Sequence, residues 1–376
     1  MIVFFSNFIN EHQIPFCEAM HKITEGEFRF VATQPFDEDR IKLGFEDKSE
    51  TFPYVVKSYE SEDGFQKALR LGLESDVVII GSAPDIFIEE RLKQNKLTFR
   101  YHERYFKEGR WRILDPRVFI AHYKKDIRYK KKNLYMLCAS AYTAPDCRFI
   151  GCYKGKAFKW GYFPPVKRYD DIDALIKNKD YVSILWVGRF IKWKHPEAPL
   201  YVAKRLKESG YDFTLNIIGS GVLEDGIKKS IKKYGLENNV RLLGSMSPEA
   251  VREHMERSEI FLFTSDRNEG WGAVLNESMN SACAVVASGA IGSVPYLIKD
   301  GENGYVYKDG DLNDLYRKVK DLIDNNEKRV AFAKNAYKTL TDTWNAEIAA
   351  ERLLTLIDNI KNGKDAPFTD GPCSKD

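Results

Sequence analysis

The chain has 376 residues, 58 of them basic and 55 acidic, for a formal charge of +3. At roughly 150 residues per domain that length favours two domains, and 43% hydrophobic with 13% aromatic residues is enough for real cores, which excludes wholesale disorder. The balance of charge excludes an acidic tail protein and a nucleic-acid wrapper, so no nucleic-acid partner is expected.

Met1–Phe5 is apolar but is followed at once by Ser6 and Asn7. With no basic flank and no small-residue cleavage site it reads as a buried first strand and not as a signal peptide. Further strands are expected at Phe28–Ala32, Tyr54–Val56, Val77–Ile80, Leu97–Tyr101 and Leu134–Cys138. Helical patterns separate several of them, at Phe65–Leu73 and Pro116–Lys130. The run Lys124–Lys132, interleaved with tyrosines, is either a solvated face or a contact with anionic membrane. The aromatic stretch Cys152–Phe163 is expected to pack between domains. Phe163-Pro-Pro165 interrupts both helix and central strand, and the domain boundary is placed there.

The second half alternates apolar strands with amphipathic helices. Val182–Val187, Phe213–Ile218, Val240–Leu243, Ile260–Thr264, Ala284–Ala287 and Gly304–Tyr307 are the strands. Pro196–Glu208, Leu223–Lys233, Pro248–Arg257, Trp271–Asn280 and Asp311–Asp324 are the helices between and after them. Continuous apolar strands separated by helices indicate a parallel sheet buried on both faces, in a doubly wound Rossmann-like domain. Two more helices follow, near Glu327–Leu340 and Asn345–Ile360, and the polar tail 362–376 reads as disordered. No apolar run approaches the roughly 18 to 20 residues of a membrane helix. The six cysteines form no Cys-x-x-Cys pair, so neither a disulfide scaffold nor a zinc site is expected.

Ligands of such a fold sit in the βα loops at the carboxyl ends of the strands. Three loops of the second half are chemically loaded. Gly188-Arg-Phe-Ile-Lys-Trp-Lys-His195 carries Arg189 and Lys194, cations suited to phosphate. Gly219-Ser-Gly221 precedes a helix. In Thr264–Glu277, Glu269 stands just before a helix expected to begin near Gly270 or Trp271, and Glu277 lies eight residues on. That interval spans about 12 Å along a helix axis, near the reach from the ribose of a nucleoside diphosphate sugar to its hexose. The amides of Gly270, Trp271, Gly272, Ala273 and Val274 would form a helix amino terminus between the two carboxylates, a seat for a diphosphate. Taken singly, each loop admits a plainer reading: a solvated basic loop, a tight turn, two solvating glutamates. Together they point to a ligand.

Glu269-x7-Glu277, with Gly188-Arg189 before Lys194 and with Gly219-x-Gly221, resembles the donor-binding half of glycosyltransferase family 4. The similarity extends to Ala290-Ile-Gly-Ser-Val-Pro295 and Asp300-Gly-Glu-Asn-Gly304 and is plain over about residues 180–345. The resemblance implies a GT-B fold, two Rossmann-like domains facing across a cleft. Residues 1–164, with a returning helix at about 345–361, would form the acceptor-side domain, and 165–344 the domain that binds the nucleotide sugar. It further implies that Glu269 contacts donor-sugar hydroxyls, Glu277 the ribose, and Arg189 and Lys194 the departing diphosphate. The implied reaction is retaining sugar transfer from a UDP or GDP sugar to a carbohydrate or lipid-linked acceptor, as in polysaccharide or glycolipid synthesis. No metal and no other cofactor is implied. His102 best matches the family's amino-terminal histidine, with a structural histidine as the other reading and Glu103 as the fallback. The loop Ser6–His12 departs from the family in having no glycine. A cytoplasmic protein, peripheral at the inner face of a membrane, is the expected location. Two rival functions are a two-lobed sugar or nucleotide receptor without chemistry and a sugar-nucleotide epimerase on the same fold.

Overall fold

The computed structural model describes residues 1–37, 41 and 46–376. They divide into two compact units: Met1–Pro165 with Asn345–Asp376, and Val166–Trp344.

The first unit is built on strands β1 (Ile2–Ser6), β2 (Phe28–Ala32), β3 (Val55–Lys57), β4 (Val77–Ile80), β5 (Thr98–His102), β6 (Leu134–Cys138) and β7 (Ala157–Lys159). They pair in the order β3-β2-β1-β4-β5-β6-β7, and every pairing is parallel. Every residue of β1 and β4 is buried, as a parallel sheet covered on both faces requires. The helix Ala346–Lys361 packs on the helix Ile14–Ile23 of the same unit. Asn345 starts it by accepting from the Ile348 amide at 2.9 Å, and Ala346, Ala349, Ala350, Leu353, Leu356 and Ile357 form its buried stripe.

One expectation fails here. Residues 362–376 are not disordered throughout. Cys373 and Ser374 are fully buried; the Cys373 amide donates to the Lys159 carbonyl and the Lys159 amide to the Ser374 carbonyl, both at 2.8 Å. The segment lies antiparallel along β7 and satisfies the open edge of the sheet. Within the aromatic stretch Cys152–Phe163, Trp160 meets Phe16 and Phe163 of the same unit with ring centroids 5.2 and 5.0 Å apart.

The second unit holds β8 (Ser183–Val187), β9 (Thr214–Ile218), β10 (Val240–Gly244), β11 (Ile260–Phe263), β12 (Ala284–Ser288) and β13 (Tyr305–Tyr307). Their order is β10-β9-β8-β11-β12-β13, again parallel throughout. Trp186, Ile217, Leu262, Val286, Leu315 and Phe332 anchor the core between sheet and helices. The chain winds outward from β8 through β9 and β10, then returns to β8's other side to lay down β11, β12 and β13. All six cysteines are buried and free. Among the described residues, no helix is long and apolar enough to cross a membrane.

Candidate functional site

The reversal of winding between β8 and β11 is the switch point of the second sheet, where connections leave on opposite sides and open a crevice at the strands' carboxyl ends. The loops that follow β8, β9 and β11 are the three that the sequence marked, and these are adjacent strands. Backbone bonds join them. The Gly188 amide donates to the Ile218 carbonyl at 3.0 Å, Phe190 to Ser220 at 2.8 Å, and Asp266 to Trp193 at 2.9 Å. Thr264 Oγ1 accepts from Trp186 Nε1 and donates to the Lys194 carbonyl, both at 2.8 Å.

Gly219 is required by this closeness. A Cβ there would lie 1.9 Å from the Gly188 carbonyl oxygen, at a φ of +134° that side chains avoid. Gly221 meets the same loop, with its virtual Cβ 2.7 Å from the Phe190 carbonyl oxygen. The Gly219-x-Gly221 pair therefore lets the loop after β9 seat the loop that carries Arg189.

Lys194 and Glu269, placed in separate roles by the sequence, form an ion pair. Ser265 Oγ donates to the same carboxylate oxygen, Oε2, at 3.0 Å. Glu269 is only 8% exposed, so its charge depends on these partners. Trp193 lies between the two cations: the Lys194 Nζ is 4.6 Å and the Arg189 guanidinium 5.9 Å from its ring centroid, within cation–π range. Arg189 itself is exposed, as is Lys192. His195 closes the loop in the left-handed region at φ +51°, an uncommon conformation for a residue with a side chain. Its Nδ1 is 2.8 Å from Glu197 and its Nε2 3.6 Å from Asp266. The Glu197 hydrogen bond pushes the imidazole pKa up. Trp193, His195, Ser265 and Asp266 are contributors that sequence reasoning passed over; an aromatic flanked by two cations was the available signal for Trp193.

The segment after Glu269 differs from expectation. The helix runs over Val274–Asn280, seven residues, and does not begin at Gly270 or Trp271. Only its first turn, through Glu277, falls within the Glu269-to-Glu277 interval, so a 12 Å rise along one axis does not apply. The reason lies in Trp271. Its ring is fully buried beside Tyr296 and Trp344, at 6.2 and 6.0 Å, and its Nε1 donates to Asn276 at 2.9 Å. Drawing that ring into the core keeps Gly270–Gly272 out of the helix. Gly272 permits the bend at φ +80°, where a Cβ would approach Phe263 Cζ to 2.3 Å. Trp271 can thus offer a ligand its backbone but not its ring. Glu277 is half-buried, and burial pushes its carboxyl pKa up against the pull of Arg252. No hydrogen bond to its carboxylate is found among the described residues, which leaves it acceptor capacity for hydroxyls.

In the first unit, His102 ends β5. Its Nδ1 is 2.7 Å from the Glu103 carbonyl oxygen, an acceptor only, so Nδ1 carries the proton and Nε2 the lone pair. Burial, aided by Lys125, brings its pKa down to about 4. Glu103 is occupied: it accepts from Tyr162 Oη and Lys107 Nζ, both at 2.6 Å. The switch point of this sheet lies between β1 and β4, next to β5. The basic run is not one face, because Asp126 and Tyr129 within it are buried and the helix stops at Lys125. Among the described residues no three His, Cys, Asp or Glu side chains converge as a metal site. A cavity of about 340 Å³ in the second unit, lined by Lys179, Glu259 and Arg329 among others, contains none of the residues at the switch point.

Residues 167–339 match the family model described as "Glycosyl transferases group 1". In sequence, this part of the second unit is therefore similar to the group 1 glycosyl transferases. Two curated relatives are similar to about half of this chain. An uncharacterized glycosyltransferase of Methanocaldococcus jannaschii is 31% identical over 163 residues, 43% of this chain and 44% of the relative. The N-acetylgalactosamine-N,N'-diacetylbacillosaminyl-diphospho-undecaprenol 4-alpha-N-acetylgalactosaminyltransferase of Campylobacter jejuni is 33% identical over 187 residues, 49% of this chain and 48% of the relative. The chain thus spans about half the length of the curated relatives it matches. In fold, both sheets match the GT-B structures. The crystal structure of Anabaena HepE in complex with UDP superposes with a TM-score of 0.70 at 14% identity, covering 95% of this chain and 99% of HepE. Staphylococcus aureus TarM gives 0.59 at 19% identity, covering 78% of this chain and 59% of TarM.

Proposed function

We propose that the protein is a glycosyltransferase that moves a sugar from a UDP or GDP sugar to a hydroxyl of a carbohydrate or lipid-linked acceptor. The observation that carries the reading is the convergence, at one switch point, of Arg189, Lys194 and Glu269 with the Gly219-x-Gly221 loop. The group 1 relatives, including one named as a transferase to a diphospho-undecaprenol acceptor, and the UDP seen in HepE support the nucleotide-sugar class.

In this reading Glu277 accepts hydroxyl hydrogens of the ribose. Lys194 and Ser265 hold Oε2 of Glu269, so that Oε1 faces hydroxyls of the donor sugar. Arg189, with the Lys194 ammonium, stabilises charge developing on the leaving diphosphate, the largest contribution expected at such a centre. The amides of Gly270, Gly272, Ala273 and Val274 lie beside it. The bond from the anomeric carbon to the diphosphate oxygen breaks as the acceptor oxygen bonds to that carbon. The acceptor proton passes to the departing phosphate oxygen. Neither a covalent carboxylate nucleophile nor a base opposite the leaving group is assigned, and stabilisation of charge on the leaving diphosphate favours entry of the acceptor on that same face, so an α-linked donor gives an α-linked product. Two side-chain cations take the place of a divalent ion. His102, neutral at pH 7, serves the acceptor side as a hydrogen-bond acceptor through Nε2. The chain works in the cytoplasm and meets an anionic membrane peripherally.

The test is a turnover screen over UDP and GDP sugars, following release of the nucleoside diphosphate with and without acceptor. Acceptor-stimulated release supports transfer. Binding with no turnover favours the two-lobed receptor, and turnover that converts the sugar nucleotide without acceptor favours the epimerase.

A further inference from the structure

Peripheral membrane contact leaves open which residues touch the bilayer, and the sequence pointed to Lys124–Lys132. The structure assigns that role to an element that overlaps the start of this run: the 3-10 turn Arg110–Leu114 and the helix Pro116–Lys125 form an interfacial foot that docks on an anionic phospholipid bilayer. This deepens the peripheral-contact reading and is independent of the sugar chemistry.

Neither piece of the foot has a buried residue, although both are rich in large apolar side chains. Among the described residues eleven large hydrophobics are exposed, and five of them fall in this short segment. Leu114 is 81% and Trp111 61% exposed, and Phe119, Ile120 and Tyr123 are each about half exposed. Apolar side chains scattered singly over a surface need no explanation, but a contiguous group marks an interaction site. These five fall within thirteen residues, the turn packs against the helix, and the Phe119 and Tyr123 rings stack with centroids 6.5 Å apart. Trp111 and Leu114 are three apart, on one side of a 3-10 turn. At about 100° per residue, Phe119, Tyr123, Pro116 and Ile120 occupy an arc of about 100° on the helix. Lys124 and Arg117 flank that arc on one side. The opposite side is the anchored one. The His122 ring meets Tyr105 and Phe106 at 4.7 and 5.4 Å, and buried Arg100 binds Asp126 at 3.1 Å and the Lys125 carbonyl at 3.1 Å.

Charge identifies the occupant. Residues 104–132 contain eleven Arg or Lys and three acidic residues, a net +8 in a chain whose total is +3. The remainder of the chain is therefore negative, and the cations are concentrated around the foot. All three carboxylates are engaged: Glu108 by Arg112 at 3.3 Å, Asp115 by Arg117 at 2.9 Å, and Asp126 by Arg100. Lys124, Lys130 and Lys131 are exposed. An amphipathic helix with tryptophan and other large apolar side chains on one face and cations at its edge lies in the headgroup layer of anionic membranes. A neutral apolar partner would not call for the cations, and a polyanion would not call for Trp111 and Leu114.

Trp111 is the reporter. The chain has six tryptophans, and Trp160, Trp186, Trp271 and Trp344 are buried. The chain is mixed with vesicles of phosphatidylcholine alone or with about 30% phosphatidylglycerol, some carrying brominated acyl chains. We expect co-sedimentation with the anionic vesicles, weakening with salt, and quenching of emission that disappears in Trp111→Phe. Trp111→Ser/Phe119→Ser/Ile120→Ser should bind at least tenfold more weakly with an unchanged circular-dichroism melt and unchanged hydrolysis of soluble donor. Lys124→Ser should lose about fivefold on anionic vesicles only, the equivalent of about 1 kcal/mol per cation near a charged surface. Equal binding of the triple variant, equal binding to neutral vesicles, or no Trp111-dependent quenching overturns the foot. So does a self-associating chain that the triple variant converts to monomer without any vesicle binding. If the triple variant does not fold, the quenching of the unmodified chain still decides. Loss of donor hydrolysis in the unmodified protein would instead count against the transferase reading and leave this one standing.

Discussion

Lys194→Ala removes one member of the Lys194–Glu269 pair and leaves the other, among the described residues, with Ser265 as its side-chain support. The two side chains are 14% and 11% exposed, so most of their hydration is gone. Breaking a fully buried pair from one side costs about 3 to 5 kcal/mol; with residual solvent the cost here should be about 2 to 3 kcal/mol. For a unit of this size that is a melting-temperature drop of about 5 to 10 °C. Catalysis should suffer more, because the same ammonium is assigned to the departing diphosphate. Removing one such donor costs about a hundredfold to a thousandfold in kcat. Lys192→Ala, at an exposed position two residues away, should stay within about 0.5 kcal/mol in stability and near full activity. The double variant Lys194→Ala/Glu269→Gln should regain much of the lost stability, since no unpaired carboxylate remains, but none of the activity. The assays are thermal melts and release of nucleoside diphosphate from the donor. Additive stability losses in the double variant, or more than a third of full activity in Lys194→Ala, would refute the coupling and the diphosphate role respectively.

Other outcomes follow from single positions. Gly219→Ala drives a methyl into the Gly188 carbonyl and should lower donor affinity at least tenfold by displacing the loop of Arg189; unchanged affinity would show that the loop does not set Arg189. Because the folded pKa of His102 lies near 4, below the ordinary histidine value of about 6.5, its contribution to stability is intact above pH 6.5 and is lost as pH falls towards 4. His102 should therefore produce no inflection in activity between pH 7 and 8, and one that vanishes in His102→Asn would contradict that assignment. Activity should survive excess EDTA; complete loss restored by magnesium or manganese would end the metal-free mechanism. Product from an α-linked donor should be α-linked by its NMR coupling constant, and a β-linked product would require a base in the first unit.

How far these features could be read from sequence depends on how local their causes are. The strands β8, β9, β11 and β12 announced themselves because burial on both faces makes each a short apolar run, as in Ile260–Phe263. The glycines, the cations and the two glutamates were equally visible, being chemistry written at fixed positions. The start of the helix Val274–Asn280 was not, because it is fixed by Trp271 packing against Trp344, 73 residues away in the chain. The same holds for β7, a three-residue edge strand whose partner segment includes Lys375, and for the pairing of Lys194 with Glu269 across 75 positions. The exposed face of Pro116–Lys125 reads as an ordinary amphipathic helix until the structure shows that none of its residues is buried.

The central claim is that a nucleoside diphosphate sits at the switch point of the second unit. Its most direct measurement is the affinity of UDP and of GDP for the 376-residue chain by calorimetry, with Arg189→Ala, Glu277→Gln and His102→Asn as comparisons. The account predicts that one nucleotide binds, that Arg189→Ala and Glu277→Gln each weaken it at least tenfold, and that His102→Asn leaves it unchanged; failure of both nucleotides to bind, or binding indifferent to Arg189 and Glu277, would contradict it.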